Sequence, residues 1–218
     1  MPYRRTENVE RRLAARHDAI IAAARQIGSE GGLGAVQIAA VAARAGIAAG
    51  TVYRYFPAKT DIVAALLAEM AESEIGALRR AAGGAPGPLS ALAAAITTFA
   101  ARALRDRRLT YAAIAEPVDA ELDGARTAFR RSLAAEFAGR IAAAMTEGRL
   151  PEQDAELAAV ALTGLLVEGL VGPLAPHASG REREIVQSLT LTALRALGVA
   201  DARARGLVVQ TAMPAAAI

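Results

Sequence analysis

The chain has 218 residues, 54% of them hydrophobic, so it can bury a substantial core in one large domain or in a small domain joined to a larger one. The absence of cysteine excludes disulfides and thiolate chemistry. The net charge is only +3, but residues 1–59 hold nine basic and four acidic side chains, whereas the rest is slightly acidic. Such an asymmetry is typical of a phosphate-binding module joined to a neutral body, although a charged surface is more often simply solvated.

No segment has the pattern of a signal peptide or a membrane span. The opening residues, MPYRRTENVERR, contain no apolar run. The longest apolar run, LAAVALTGLLVEGLVGPLAP, is interrupted by Glu168, glycine and proline. We therefore expect a cytoplasmic protein that does not enter a membrane.

The predicted elements begin with four helices. Apolar residues recur at helical spacing along almost the whole chain and strand-type alternation is absent, which predicts an all-α protein. A first helix is expected over 7–28, where the glycine-rich GSEGGLG ends it. Two short helices follow at 37–45 and 49–55, with Gly46 between them and Pro57 after the second. A long fourth helix is expected over 59–82.

Beyond the GGAPGP break, proline and glycine divide the chain into further helices, at 88–107, 109–115, 119–147, 153–172 and 180–198. His177 falls in a loop, where we expect a surface side chain. Residues 201–218 show little pattern and are expected to form a loosely ordered tail.

The segment AGIAAGTVYRYFPAKTD, residues 45–61, collects scarce residue types: three of the eight aromatic residues and the only lysine. A helix of about eight residues, a tight turn and a second short helix form a helix-turn-helix, whose second helix enters the major groove of DNA. Val52 and Phe56 lie four residues apart and are expected to face inward, while the other sides of the helix can reach DNA. Ala48, Ala49 and Gly50 are small, so the backbone can approach phosphate closely.

The longer stretch VAARAGIAAGTVYRYFPAKTDIVAALL resembles the helix-turn-helix of the TetR family of transcriptional regulators. The match consists of an alanine-glycine turn, glycine-threonine, tyrosine-any-tyrosine-phenylalanine and a lysine that opens the fourth helix, and it covers about 18–67. The resemblance implies a homodimer that binds a palindromic operator and releases it when a small molecule occupies the C-terminal domain. The chain then divides into an N-terminal arm with a helix-turn-helix DNA-binding domain over 1–58, a connecting helix over 59–83, a ligand-binding and dimerisation domain over 84–200, and the tail over 201–218.

Carried over position by position, the family's DNA contacts fall on Ala49, Gly50, Thr51, Tyr53, Arg54, Tyr55 and Lys59. Arg44 is a further candidate, as a phosphate contact or a base reader. Ala48 and Ala49 replace longer polar residues that are common in the family, so base readout would rest on few side chains and DNA shape would matter more. The N-terminal arginines Arg4, Arg5, Arg11 and Arg12 form either an arm that follows the DNA or a solvated tail.

The C-terminal helices have two kinds of pattern. Residues 119–147 place apolar side chains along one face, which predicts an amphipathic helix. The helices at 153–172 and 180–198 are more apolar, the former nearly all round, so we expect them to form a four-helix interface with a second copy of the chain. Burial within a single monomer core is the alternative.

A ligand cavity is expected among the helices from 88 to 172, mostly apolar with few polar groups. Its candidate lining residues are Thr97, Thr98, Tyr111, Glu116, Phe129 and Glu168. We predict no catalytic residue, metal or cofactor, because the two histidines are far apart and no metal-spaced cluster, phosphate loop or nucleophile motif is present. The predicted function is a repressor released by a small, mostly apolar ligand; the alternative is a constitutive or architectural DNA-binding protein without an inducer.

Overall fold

The structure is a computed structural model that describes residues 3–117, 120–175 and 180–214, with the side chains of 3–8 and 121 excepted. Within these residues the chain forms ten α-helices, one short 3-10 turn and no strand, which confirms the predicted all-α class. His177 lies outside the described residues. The helices are α1 Tyr3–Gly31, α2 Ile38–Ala45, α3 Ala49–Tyr53, α4 Lys59–Gly83, α5 Pro88–Arg105, α6 Arg107–Ile114, α7 Ala120–Thr146, α8 Ala155–Leu174, α9 Glu182–Ala196 and α10 Asp201–Gln210.

The helical structure extends further at both ends than the sequence pattern predicts. The first helix begins at Tyr3 rather than at residue 7, because no glycine or proline lies between Tyr3 and Gly28. The expectation of a loosely ordered tail is wrong for residues 201–210, which form α10. This helix is stabilised because Ala204 and Leu207 are buried against the C-terminal helices.

Apolar side chains form two cores. The N-terminal core lies among α1, α2, α3 and the first half of α4, and it includes Ile20, Val52 and Leu66. The C-terminal core lies among α5, α7, α8, α9 and the second half of α4, and it includes Phe137 and Leu166. Because α4 contributes to both cores, a change in its tilt would be transmitted from one core to the other.

A second connection between the cores is made by α6. This helix follows α5, yet Leu109, Ala112 and Ala113 are buried in the N-terminal core. The contact with α1 is close, since a Cβ added at Gly28 would lie 2.7 Å from Leu109 Cδ1. The packing around α6 therefore joins the N-terminal helices to the C-terminal body independently of α4.

The helix α8 is only partly covered within one chain. It buries Leu166 and Leu170 in the C-terminal core, but Leu157 is 66% exposed and Val160 is 59% exposed. By length and composition alone α8 could also cross a membrane, with a mean hydropathy of 1.9. It packs against α5, α6, α7 and α9, and 39% of its most apolar window is buried within one chain.

Candidate nucleic-acid interface and ligand cavity

A glycine turn sets the relative orientation of α2 and α3. Gly46 ends α2 with a φ of 65°, in the left-handed region that glycine adopts at little cost. The N–H of Gly46 donates to Ala43 O at 3.3 Å, and the N–H of Ile47 donates to Ala42 O at 3.0 Å. Behind the turn, Val52 and Phe56 are buried, as the sequence predicts.

The outer side of α3 is exposed and sterically open. Ala49 and Gly50 are exposed, and a Cβ added at Gly50 would meet no atom within 4 Å. Tyr53 is 54% exposed, and the neighbouring Arg54 is exposed and forms no ion pair with any described side chain. Another molecule can therefore reach this side of α3 without displacing any part of the protein.

The first helix lies along one edge of this surface. Arg12 and Arg16 of α1 share a shallow groove with Thr51, Arg54 and Tyr55. Three arginines thus line one groove, and their charges create the positive potential that attracts phosphate. From the sequence, Arg12 is expected in an N-terminal arm, and no feature of the sequence distinguishes Arg16 from the other arginines of this region.

The predicted contact Lys59 lies where α4 begins. It is the first residue of α4 and is half-buried. Ala58 has no side-chain acceptor for the free N–H groups of the helix, but Asp61 Oδ2 accepts the N–H of Ala58 at 2.8 Å. Asp61 therefore fixes the start of α4, and with it the position of Lys59.

Arg44 has a partner within the protein. Its guanidinium donates to both carboxylate oxygens of Glu30 on α1, at 2.9 and 2.8 Å. This hydrogen bonding lowers the pKa of Glu30 and raises that of Arg44. Arg44 would have to leave Glu30, or share it, in order to contact DNA.

A cavity of about 230 Å³ lies between the two cores. Its apolar lining includes Leu67 and Met70 of α4, Phe99 of α5, Ile114 of α6, Phe129 of α7 and Leu170 of α8. Its charged lining consists of Arg25, Glu74, Arg102, Arg105, Asp106 and Arg126. The cavity is thus more polar than the sequence analysis predicts.

Ion pairs and hydrogen bonds connect part of this lining to α1. Arg25 of α1 pairs with Glu69 at 2.6 Å and lies 3.6 Å from Asp106 Oδ2. Ser29 Oγ, also on α1, donates to Asp106 Oδ1 at 3.0 Å. Asp106 lies between α5 and α6, so the wall of the cavity is also a joint between the N-terminal helices and the body.

Two charged groups of the lining have buried atoms without a hydrogen-bond partner among the described residues. Glu74 is only 15% exposed; its Oε2 accepts from Arg102 Nε at 2.8 Å, whereas its Oε1 has no partner. Burial raises the pKa of Glu74, an effect that Arg102 opposes. Arg126 donates from Nη2 to the carbonyl oxygens of Ala112 and Glu116, but its Nε has no partner, and burial lowers the pKa of Arg126. A buried polar atom without a hydrogen-bond partner destabilises the folded protein unless another molecule supplies that partner.

The predicted lining residues are not brought together around this cavity. Phe129 lines it. Thr97 and Thr98 are buried in the C-terminal core, where Thr97 Oγ1 lies 3.2 Å from Thr190 Oγ1. Tyr111 is half-buried against the same core.

The two predicted carboxylates lie elsewhere. Glu116 pairs with Arg108 beside the end of α6. Glu168 is exposed and lines a separate groove between α7 and α8. In the part of the chain that the structure describes, no group of three histidine, aspartate or glutamate side chains is arranged to hold a metal ion.

A signal for the charged lining is present in the sequence. Leu67, Met70, Glu74 and Leu78 follow one another at intervals of three or four residues on α4, so Glu74 interrupts a buried apolar stripe. Arg126 interrupts the stripe of α7 in the same way, between Leu122 and Phe129. A charge on an inward-facing stripe indicates a buried polar site.

The all-α fold and the exposed helix α3 indicate the class of protein to which the chain belongs. A short helix that leaves a glycine turn and presents an open, basic outer side is the arrangement of a helix-turn-helix DNA-binding protein. Residues 20–66 match the family model described as bacterial regulatory proteins, tetR family. The HTH-type transcriptional repressor KstR of Mycolicibacterium smegmatis is 44% identical over 73 residues, which are 33% of this chain and 36% of the KstR chain.

Solved structures resemble the chain over most of its length. The structure of RolR with resorcinol has a TM-score of 0.71 at 23% identity and covers 94% of this chain and 98% of RolR. The FadR regulator of Bacillus subtilis, in complex with stearoyl-CoA, has a TM-score of 0.67 at 22% identity over 79% of this chain and 96% of FadR. Residues 20–66 thus match the tetR-family model, the chain as a whole shares the fold of these solved structures, and the curated relatives that it matches are transcriptional repressors.

Proposed function

We propose that the protein is a ligand-responsive repressor that binds a palindromic operator as a homodimer and releases it when a small molecule enters the cavity between the two cores. Its place of action would be the cytoplasm. In this proposal residues 1–58 bind DNA, 59–83 form the connecting helix, and the helices beyond residue 84 bind the ligand and form the dimer.

The DNA contacts would come from the exposed surface around α3. Tyr53 and Arg54 are the most accessible of the candidates, and Ala49 and Gly50 leave room for close approach of the DNA backbone. Thr51, Tyr55 and Lys59 would bind phosphates at the edges of the same surface. We add Arg12 and Arg16, because they share the groove of Thr51, Arg54 and Tyr55.

The exposed apolar residues of α8 support dimerisation. Leu157 and Val160 would be covered if α8 packed against a second copy of the chain, as in the four-helix interface that the sequence predicts. A helix with buried apolar residues on one side and exposed leucine and valine on the other is costly to leave in water. TetR-family regulators are typically dimers, and a symmetric dimer would explain a palindromic operator.

The single observation that supports regulation best is that Arg25 and Asp106 both line the cavity and join α1 to the body. A ligand that displaced or pulled on these side chains would change the position of α1 relative to α6. The two recognition helices of a dimer must lie about 34–36 Å apart to read successive major grooves together. A displacement of a few ångströms would therefore lower operator affinity, and a coupling free energy of about 1–3 kcal/mol would reduce it roughly 5- to 150-fold.

The cavity favours this proposal over a constitutive or architectural DNA-binding protein, which would need no such space. A similar fold binds resorcinol in RolR and stearoyl-CoA in FadR. The volume of about 230 Å³ has room for a molecule of the size of resorcinol but not for the whole of stearoyl-CoA.

The decisive experiment is a thermal-shift screen of metabolites and drug-like molecules, followed by operator-binding titrations with every molecule that raises the melting temperature. The operator would first be selected from random DNA with the purified protein. Ligands that stabilise the protein and weaken operator binding support the proposal. If every stabilising ligand leaves operator affinity unchanged, the protein is a constitutive DNA binder instead.

A further inference from the structure

We propose that the cavity between the two cores binds a small hydroxylated carboxylic acid, with the Glu74 carboxylate accepting the ligand's hydroxyl group and Arg126 binding the ligand's carboxylate. This inference rests on the proposed function, because it names the chemical class of the molecule that would act there.

Glu74 has unused capacity to accept a hydrogen bond. Its Oε2 is occupied by Arg102, and Arg102 is held in turn by Ser73 Oγ at 3.2 Å. The carboxylate is therefore fixed in orientation, while its buried Oε1 has no partner among the described residues. A ligand group that donates a hydrogen bond, such as a hydroxyl, would satisfy this oxygen, and bonds to charged acceptors are among the stronger ones in proteins.

Arg126, in contrast, has a buried donor that needs a hydrogen-bond acceptor. Its Nη2 is fixed by the carbonyl oxygens of Ala112 and Glu116, at 2.7 and 2.5 Å, and its Nε is buried without a partner. Asp123 and Glu116 act on it electrostatically, but neither forms an ion pair with it. The lining as a whole contains four arginines and two carboxylates. The unpaired Nε–H of Arg126 favours an anionic acceptor, which a ligand carboxylate provides.

The size and the apolar lining limit the rest of the ligand. The volume of about 230 Å³ is about one and a half times that of a 150 Å³ apolar cavity known to hold benzene. One six-membered ring with two small substituents fits such a volume. Phe99, Ile114 and Phe129 provide the apolar contacts that such a ring requires.

The first test uses the unmodified protein, so it does not depend on the folding of a variant. Calorimetric titrations would compare 3- and 4-hydroxybenzoate with benzoate, which lacks the hydroxyl, and with the matching hydroxybenzyl alcohols, which lack the carboxylate. We expect at least one hydroxybenzoate to bind roughly 10- to 100-fold more tightly than benzoate and than its alcohol. Equal affinities, or no binding by either hydroxybenzoate, would overturn the inference.

The second test assigns the two ends of the ligand. Glu74→Gln should abolish most of the preference for hydroxybenzoate over benzoate, whereas the exposed Glu72→Gln on the same helix should preserve it. Arg126→Lys, which retains the positive charge, should reduce the preference for the acid over the alcohol, and the exposed Arg149→Lys should not. Circular dichroism would establish that each variant is folded. If both preferences survive in Glu74→Gln and Arg126→Lys, these residues do not bind the ligand as proposed.

Operator titrations separate this inference from the proposed function. If hydroxybenzoates bind with both preferences but leave operator affinity unchanged, the ligand class is correct and the repressor mechanism is wrong. If a different class of molecule releases the operator and the hydroxybenzoates do not bind, the mechanism is correct and the ligand class is wrong.

Discussion

Ser29 donates a hydrogen bond to Asp106 across 77 positions of sequence, at 3.0 Å. The first residue lies near the end of α1 and the second lies between α5 and α6, so this bond joins the DNA-binding helices to the regulatory body. Arg25 approaches the same carboxylate from the preceding turn of α1, at 3.6 Å. Because Arg25 and Asp106 also line the cavity, the joint and the candidate ligand site share side chains.

We predict that Asp106→Ala uncouples ligand binding from operator release. The substitution removes the hydrogen bond from Ser29 and the contact of Arg25 with Asp106, and it leaves only the pairing of Arg25 with Glu69 on α4, so a ligand that still binds the cavity would displace α1 less. The measurement is the ratio of operator dissociation constants with and without a ligand that releases the unmodified protein. The expected ratio falls toward one in Asp106→Ala and falls less in Ser29→Ala, which keeps the Arg25 contact. A full response in Asp106→Ala would show that the signal reaches the recognition helix by a route that does not pass through Asp106.

Gly50→Ala is expected to separate stability from DNA binding. The added methyl group meets no atom within 4 Å in the free protein, and alanine favours a helix over glycine by about 0.5–1 kcal/mol. The melting temperature should therefore stay the same or rise. Operator affinity should fall at least about fivefold, or about 1 kcal/mol, because the methyl group occupies the space through which DNA would approach α3.

Gly139→Ala is the matched control for this prediction. Gly139 is also exposed within a helix, and a Cβ added there would meet no atom within 4 Å, but it lies on α7, far along the chain from the recognition helix. The Gly139→Ala substitution should increase the stability of the protein without an effect on operator binding. An unchanged operator affinity in Gly50→Ala would mean that the outer side of α3 does not contact DNA closely.

Arg54→Ala should weaken operator binding by about 1–3 kcal/mol if the guanidinium reads a base, and it should then also relax sequence preference at one position of each half-site. If Arg54 binds phosphate instead, affinity should fall evenly for all sequences and the salt dependence should become shallower. Binding to a set of operators with single base changes, at two salt concentrations, distinguishes the two roles. No loss in either respect would exclude Arg54 from the interface.

Most of the fold follows from patterns within single segments, whereas the cavity does not. Gly46 and the buried pair Val52 and Phe56 were predictable, because a left-handed glycine turn and a spacing of four residues are local features. The tail was mispredicted because α10 has a weak apolar pattern and is stabilised by packing against α9 and α5. The bond between Ser29 and Asp106 has no local signal at all, since it depends on how α6 packs on α1.

The exposed apolar residues of α8 lead to a prediction about assembly. Leu157→Glu should convert a dimer into a monomer of 22.4 kDa, because a charge buried in an apolar interface without a partner is strongly unfavourable. Sedimentation or light scattering at micromolar concentration is the measurement, and operator affinity should fall together with the loss of the dimer. Val209→Glu is the control, since Val209 on α10 is even more exposed and lies outside the expected interface. A monomeric unmodified protein, or a dimeric Leu157→Glu variant, would contradict the role of α8.

The last prediction concerns the pH dependence of stability that Glu74 should produce. Burial raises the pKa of Glu74 in the folded protein above its ordinary value of 4.5. At a pH between 4.5 and the raised pKa of the folded state, Glu74 in the folded protein binds its proton more tightly than in the unfolded chain. The free energy of unfolding therefore decreases as the pH rises through this window. Glu74→Gln lacks this titration. Its free energy of unfolding relative to that of the unmodified protein should therefore increase from about pH 4 to about pH 7, whatever the constant offset between the two proteins.

Urea denaturation across this range is the measurement, with the exposed Glu72→Gln as the control. Parallel curves for Glu74→Gln and the unmodified protein would show that the Arg102 ion pair fully compensates the burial of Glu74, and a relative decrease toward neutral pH would show that the pKa of Glu74 is lowered rather than raised.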